Sequence, residues 1–163
     1  MKRYLAIGIA ALGCVVIPAT SAAQQSTQFQ VTMTIQAECR LTSASDLAFG
    51  ATGVIQTAIT STSTIGVQCT NTTPYNIGLN AGAGAGATVT ARRMTSGAGA
   101  TVVYELFRDP ARSQIWGNTA GTDTLAGIGN GAVQTLTVYG RVPPQTTPAA
   151  GSYTDTVQVT VTY

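Results

Sequence analysis

Histidine is absent from the 163-residue sequence, and its one lysine, Lys2, stands beside Arg3 at the start. Without histidine no Ser-His-Asp relay and no imidazole metal site can be built, and without a lysine farther along no Ser-Lys pair forms. A conventional hydrolase is therefore not expected, nor is any metal or cofactor. Charge is scarce as well, at 9% of residues. Arg92-Arg93 is the one basic pair beyond Lys2-Arg3, too little for nucleic acid or an anionic membrane surface. Helical periodicity is also missing, and only 109–114 has room for a short helical turn. Among the few carboxylates, Glu105 and Asp109 are close in sequence, and Asp46, Asp123 and Asp155 are free to converge in space. Surface charge and turn hydrogen bonding account for them more simply than paired acid-base chemistry.

The sequence has one long apolar run, 5–17, preceded by Lys2 and Arg3 and followed by small residues through Ala23. Cutting after Ala23 satisfies the small-x-small rule through Ser21 and Ala23, so 1–23 is expected to be a cleaved export signal. A lipid-attachment box is approximated by Ala11-Leu12-Gly13-Cys14, but Ala stands three before the cysteine and the apolar run continues past it. The run is too short for a retained membrane helix. Cleavage leaves 24–163, enough for one domain, with six arginines against six acidic residues and no lysine. It also removes Cys14. Cys39 and Cys69 remain as an even pair in an exported chain and are expected to form a disulfide, since the CxxC spacing of a redox site is absent.

What is abundant is alternation. Phe29, Val31, Met33 and Ile35 alternate with polar residues, as do Ile65, Val67 and Cys69, then Tyr75, Ile77 and Leu79, then Tyr104 and Leu106, then Leu136, Val138 and Val142. Between them lie AGAGAGA at 81–87, SGAGA at 96–100, GIGNG at 127–131 and PPQTTP at 143–148. Many short strands punctuated by Gly and Pro predict an all-β sandwich. GIGNG lacks the spacing of a dinucleotide fingerprint and precedes a strand, so it is a turn. Asn71-Thr72-Thr73 matches a glycosylation sequon too short to carry weight. Trp116-Gly117 suggests either a packed anchor or a sugar-stacking platform.

The final residues, YTDTVQVTVTY, place Tyr153, Asp155, Val157, Val159, Val161 and Tyr163 on one face of a strand and threonines with Gln158 on the other. That strand is expected to be buried on one side, with nothing after Tyr163 to cover its edge. Asp155 is the odd member of the apolar face and needs partners or partial exposure. The alternating segment 24–36 is the natural complement. If it cannot fold back within one chain, each molecule donates it to the next, giving a head-to-tail polymer.

The order and spacing of several landmarks resemble the spore coat protein U domain family, which includes the major pilins of archaic chaperone/usher pili. They are Cys39, Asp46-Leu47-Ala48-Phe49-Gly50, Val67-Gln68-Cys69-Thr70-Asn71, Pro74-Tyr75, Arg93-Met94, Tyr104-Glu105-Leu106-Phe107, Trp116-Gly117, Val138-Tyr139-Gly140-Arg141 and Gly151-Ser152-Tyr153-Thr154-Asp155. The resemblance spans essentially all of 24–163. It implies an incomplete immunoglobulin-like sandwich lacking its final strand over 37–163, with 24–36 as an N-terminal donor strand. Phe29, Val31, Met33 and Ile35 would be the donor side chains, and Val157, Val159, Val161 and Tyr163 the acceptor edge. A periplasmic chaperone, an outer-membrane usher and neighbouring copies of the chain are the implied partners. Export through the periplasm to a cell-surface fibre for adhesion and biofilm formation is the implied role, and one domain's worth of sequence suits a shaft subunit. A self-contained secreted coat or matrix protein of the same fold is the alternative, followed by a carbohydrate-binding module.

Overall fold

Alternation at period two sets nine short strands in the computed structural model, which describes residues 21–163; the expected signal at 1–23 lies mostly outside the described residues. The strands are β1 (Cys39–Ala44), β2 (Ile59–Cys69), β3 (Pro74–Leu79), β4 (Arg92–Ser96), β5 (Thr101–Phe107), β6 (Leu125–Ile128), β7 (Val133–Val142), β8 (Tyr153–Thr154) and β9 (Val159–Thr162). The chain divides into two units at residues 34 and 35. In the first unit, the described residues 21–34 form no strand and are exposed, Phe29 at 86% and Met33 at 89%.

The second unit is the sandwich. A six-stranded sheet runs in the order β1-β2-β7-β5-β4-β8 and a three-stranded sheet in the order β6-β3-β9. Every strand pairing is antiparallel. The inward side chains Ile65, Val67, Tyr75, Ile77, Leu79, Tyr104, Leu106 and Val138 are all buried in one core. No helix occurs among the described residues. At 109–114 the Asp109 carboxylate accepts bonds from the amides of Ser113 and Gln114 and from the Ser113 hydroxyl, and this side-chain capping makes a turn in place of the helical turn the sequence allowed.

Cys39 and Cys69 face each other across the β1–β2 ladder and are bonded, with S–S 2.01 Å. Trp116 has no exposed surface, and its indole N–H donates to the Ile77 carbonyl at 2.8 Å. It is a packed anchor and offers no platform to a sugar.

The C-terminal stretch departs from the single strand that alternation suggests. Tyr153 and Thr154 pair with β4 in the larger sheet, while 159–162 pair with β3 in the smaller one. Residues 155–158 cross between the sheets, and Asn80 secures the crossing: its amide donates to the Gln158 carbonyl at 3.1 Å and its side-chain oxygen accepts from the Gln158 amide at 2.9 Å. Alternation survives the crossing. Residues 153, 155, 157, 159 and 161 are half-buried, and 154, 156, 158, 160 and 162 are exposed.

Candidate functional site: an open groove in the sandwich

Two edge strands meet without pairing on one side of the sandwich. Among the described residues β1 pairs only with β2, and β9 only with β3, although β1 and β9 approach one another. Beside them the core is open. A cleft of about 400 Å³ lies between 44–49 and 153–159, floored by Ile65, Leu79, Leu106 and Val138. A second, of about 660 Å³, continues between 47–53 and 147–153 over Ile55, Ile59, Val102 and Val142. Leu47, Phe49, Met94 and Tyr153 border both, so the two clefts are successive parts of one groove.

Its chemistry is apolar with an acidic rim. Asp46 and Asp155 are the charged residues of the first cleft, and among the described residues no basic side chain lines it. Asp155 is fully engaged: it accepts the Tyr104 hydroxyl at 2.7 Å, the Ala83 amide at 2.7 Å and the Thr156 amide at 2.8 Å. The Ala-Gly loop reaches it only because Gly82 has no side chain, since a Cβ there would stand 2.0 Å from the carboxylate and the backbone holds φ at +84°. Burial, reinforced by the bond to Asp155, raises the Tyr104 hydroxyl well above its ordinary pKa. A carboxylate so occupied orders the crossing.

Beneath the groove lies Arg92, which also has no exposed surface. Its guanidinium donates to the carbonyls of Asn80, Val89, Leu79 and Trp116 at 2.7 to 2.9 Å. Burial lowers its pKa, with Tyr104, Asp155 and Asp123 opposing the shift. It ties β3, β4 and the Trp116 loop together behind the floor.

Of the residues expected at an acceptor edge, Val157 and Val159 line the first cleft, and Val161 packs on the core beyond it. Tyr163 lies just past β9 and is 59% exposed. Phe29, Val31, Met33 and Ile35 are exposed and lie in no strand. Sequence reasoning missed the groove's other wall. Leu47 and Phe49 sit two apart with Ala48 between them, a spacing that does signal one inward face.

Residues 25–160 match the Spore Coat Protein U domain. Protein U of Myxococcus xanthus is 38% identical over 107 residues, which are 63% of this chain and 59% of Protein U. The fold is similar to a chain in the crystal structure of the CsuC-CsuE chaperone-tip adhesion subunit pre-assembly complex from archaic chaperone-usher Csu pili of Acinetobacter baumannii. There the TM-score is 0.57 at 27% identity, covering 80% of this chain and 40% of that one. The chain thus spans less than two thirds of either relative. With the family match running through both walls of the groove and both cysteines, the chain belongs to the spore coat protein U domain family.

Proposed function

We propose that this protein is a structural subunit of a secreted surface fibre, a pilus shaft assembled by donor-strand exchange through the chaperone/usher pathway and serving adhesion and biofilm formation. The observation that carries this is the groove itself, an apolar channel that opens beside two unpaired β edges, at Ala44 of β1 and Val159 of β9. An extended strand laid in it would satisfy edge hydrogen bonds with its backbone and fill the clefts with every second side chain. Segment 24–36 has that pattern, with Phe29, Val31, Met33 and Ile35 on one face and no charge to desolvate. Burying four such side chains contributes roughly 6 to 12 kcal/mol before ordering costs. Val157 and Val159 form part of the acceptor wall, a periplasmic chaperone holds the groove first, and an outer-membrane usher exchanges that strand for the next subunit's. The likeness to the Csu complex supports the chaperone as partner.

The domain boundaries follow: 1–23 as export signal, 24–36 as donor and 37–163 as acceptor. Removing 24–36 is expected to leave a chain that still co-purifies with its chaperone but gives only monomers where the full chain gives a polymer ladder. Long fibres from the deletion variant would contradict the assignment. The family's spore coat name supports a second role, a self-contained coat protein, and monomers of the full chain that stay single without any chaperone would favour it.

A further inference from the structure

Leu47 and Phe49 stand in the middle of the groove's path, on the border of both clefts. They belong to 45–58, a connection with no strand in it. Its ends are fastened: the Ser45 amide donates to the Thr64 carbonyl at 2.9 Å, and the Ile55 amide donates to the Thr147 hydroxyl at 2.8 Å. Between these, Phe49 meets Tyr104 edge-on at 6.2 Å, and the Ser61 hydroxyl donates to the Ala48 carbonyl at 2.7 Å. Both apolar side chains are only half-buried. They rest where β7 carries Gly140 on its inward face, between Val138 and Val142; a Cβ at 140 would stand 2.8 Å from the Leu47 methyls and 3.0 Å from the Phe49 ring. Gly140 is therefore a seat cut to admit these two side chains.

We propose that Leu47 and Phe49 form a displaceable plug, which fills the centre of the groove while it is empty and swings out when a strand is laid through it. This rests on the groove being a strand acceptor and adds what regulates access to it. A strand passing from one cleft to the other needs the volume these side chains occupy, while their segment is held by side-chain contacts in place of a β ladder. The plug shields the core from water and from stray strand edges, and every productive strand competes with it. Apparent affinity and uptake then fall by the fraction of molecules in which the plug is seated.

The test uses the oxidised full chain, a labelled synthetic peptide of residues 24–36, and stopped-flow measurement of peptide uptake. Gly140→Ala pushes first on the side-chain ends of Leu47 and Phe49, which supply the three nearest atoms, so the variant is expected to fold with its plug unseated. Uptake is expected to rise roughly three- to tenfold over the unaltered chain. Phe49→Ala, which shortens the plug, should accelerate uptake in the same direction. Hydroxyl-radical footprinting gives a second readout on the unaltered chain: Phe49 should become more oxidised once peptide is bound. Unchanged or slower uptake in both variants, or a Phe49 that becomes protected by the peptide, would make the two residues a fixed wall and overturn the plug while leaving the acceptor groove intact. Failure of the peptide to bind the unaltered chain at all would overturn both.

Discussion

Arg92 shows what a single residue does for this fold. A guanidinium with no carboxylate partner is buried here because its planar fork reaches four main-chain carbonyls from three separate segments. Lysine keeps the charge and loses the fork. Arg92→Lys is expected to lower unfolding free energy by about 3 kcal/mol, since at least one carbonyl is left without a donor in the core, and urea midpoints would register it. Nothing in the sequence flags this role, because Arg92 sits next to Arg93 and reads as half of a surface pair. Tyr104 gives a pH signature. Its folded pKa is raised above the unfolded 10.0, first by burial and then by the bond to Asp155. The unfolded chain therefore loses this proton first. The stability tied to the protonated hydroxyl is complete below about pH 10 and declines as pH climbs from there towards the raised folded value. Tyr75, raised by burial alone, adds to the same decline. Tyr104→Phe should make the alkaline fall in melting temperature shallower, and an unchanged slope would remove Tyr104 as its source.

At the scale of elements, the C-terminal stretch separates what alternation can reveal from what it cannot. Side-chain parity was legible: the face carrying Val157, Val159 and Val161 is the one turned to the core. The sheet change at 155–158 was not, because the signals that make it are long-range, in Asn80, Ala83 and Tyr104. Burial of that face fixes the register, since a slip by one residue would exchange valines for threonines. Val159→Asp should therefore cost far more than Thr160→Asp, the first setting an unpaired carboxylate in the cleft and the second leaving it in water. Comparing the chaperone-bound subunit recovered from each variant checks this; equal recovery would mean the wrong face has been assigned. The Cys39–Cys69 bridge was legible for a different reason. The two cysteines are the even pair that remains once the expected signal is set aside, and in the structure they stand opposite one another in the β1–β2 ladder. The connection 45–58 was the least legible element, because its inward residues Leu47, Phe49 and Ile55 keep no sustained alternation and lie outside any ladder.

For the whole molecule, the decisive feature is a two-sheet sandwich whose core remains open between 44–53 and 147–159, beside the edge strands β1 and β9. The alternating segments predicted the sandwich, yet the groove depends on which strands become edges, and strand order is not written in local periodicity. An open apolar core and an exposed alternating segment on the same chain are each a liability in isolation. Joined between copies, each removes the other. Hydrogen exchange at β9 tests that claim most directly, with the full chain measured alone and after addition of the 24–36 peptide. The β9 amides that point away from β3 should exchange rapidly in the free chain and become strongly protected when the peptide is bound. Protection already strong in the free chain, or unchanged by the peptide, would show that this edge is closed by other means and that the groove does not receive the strand.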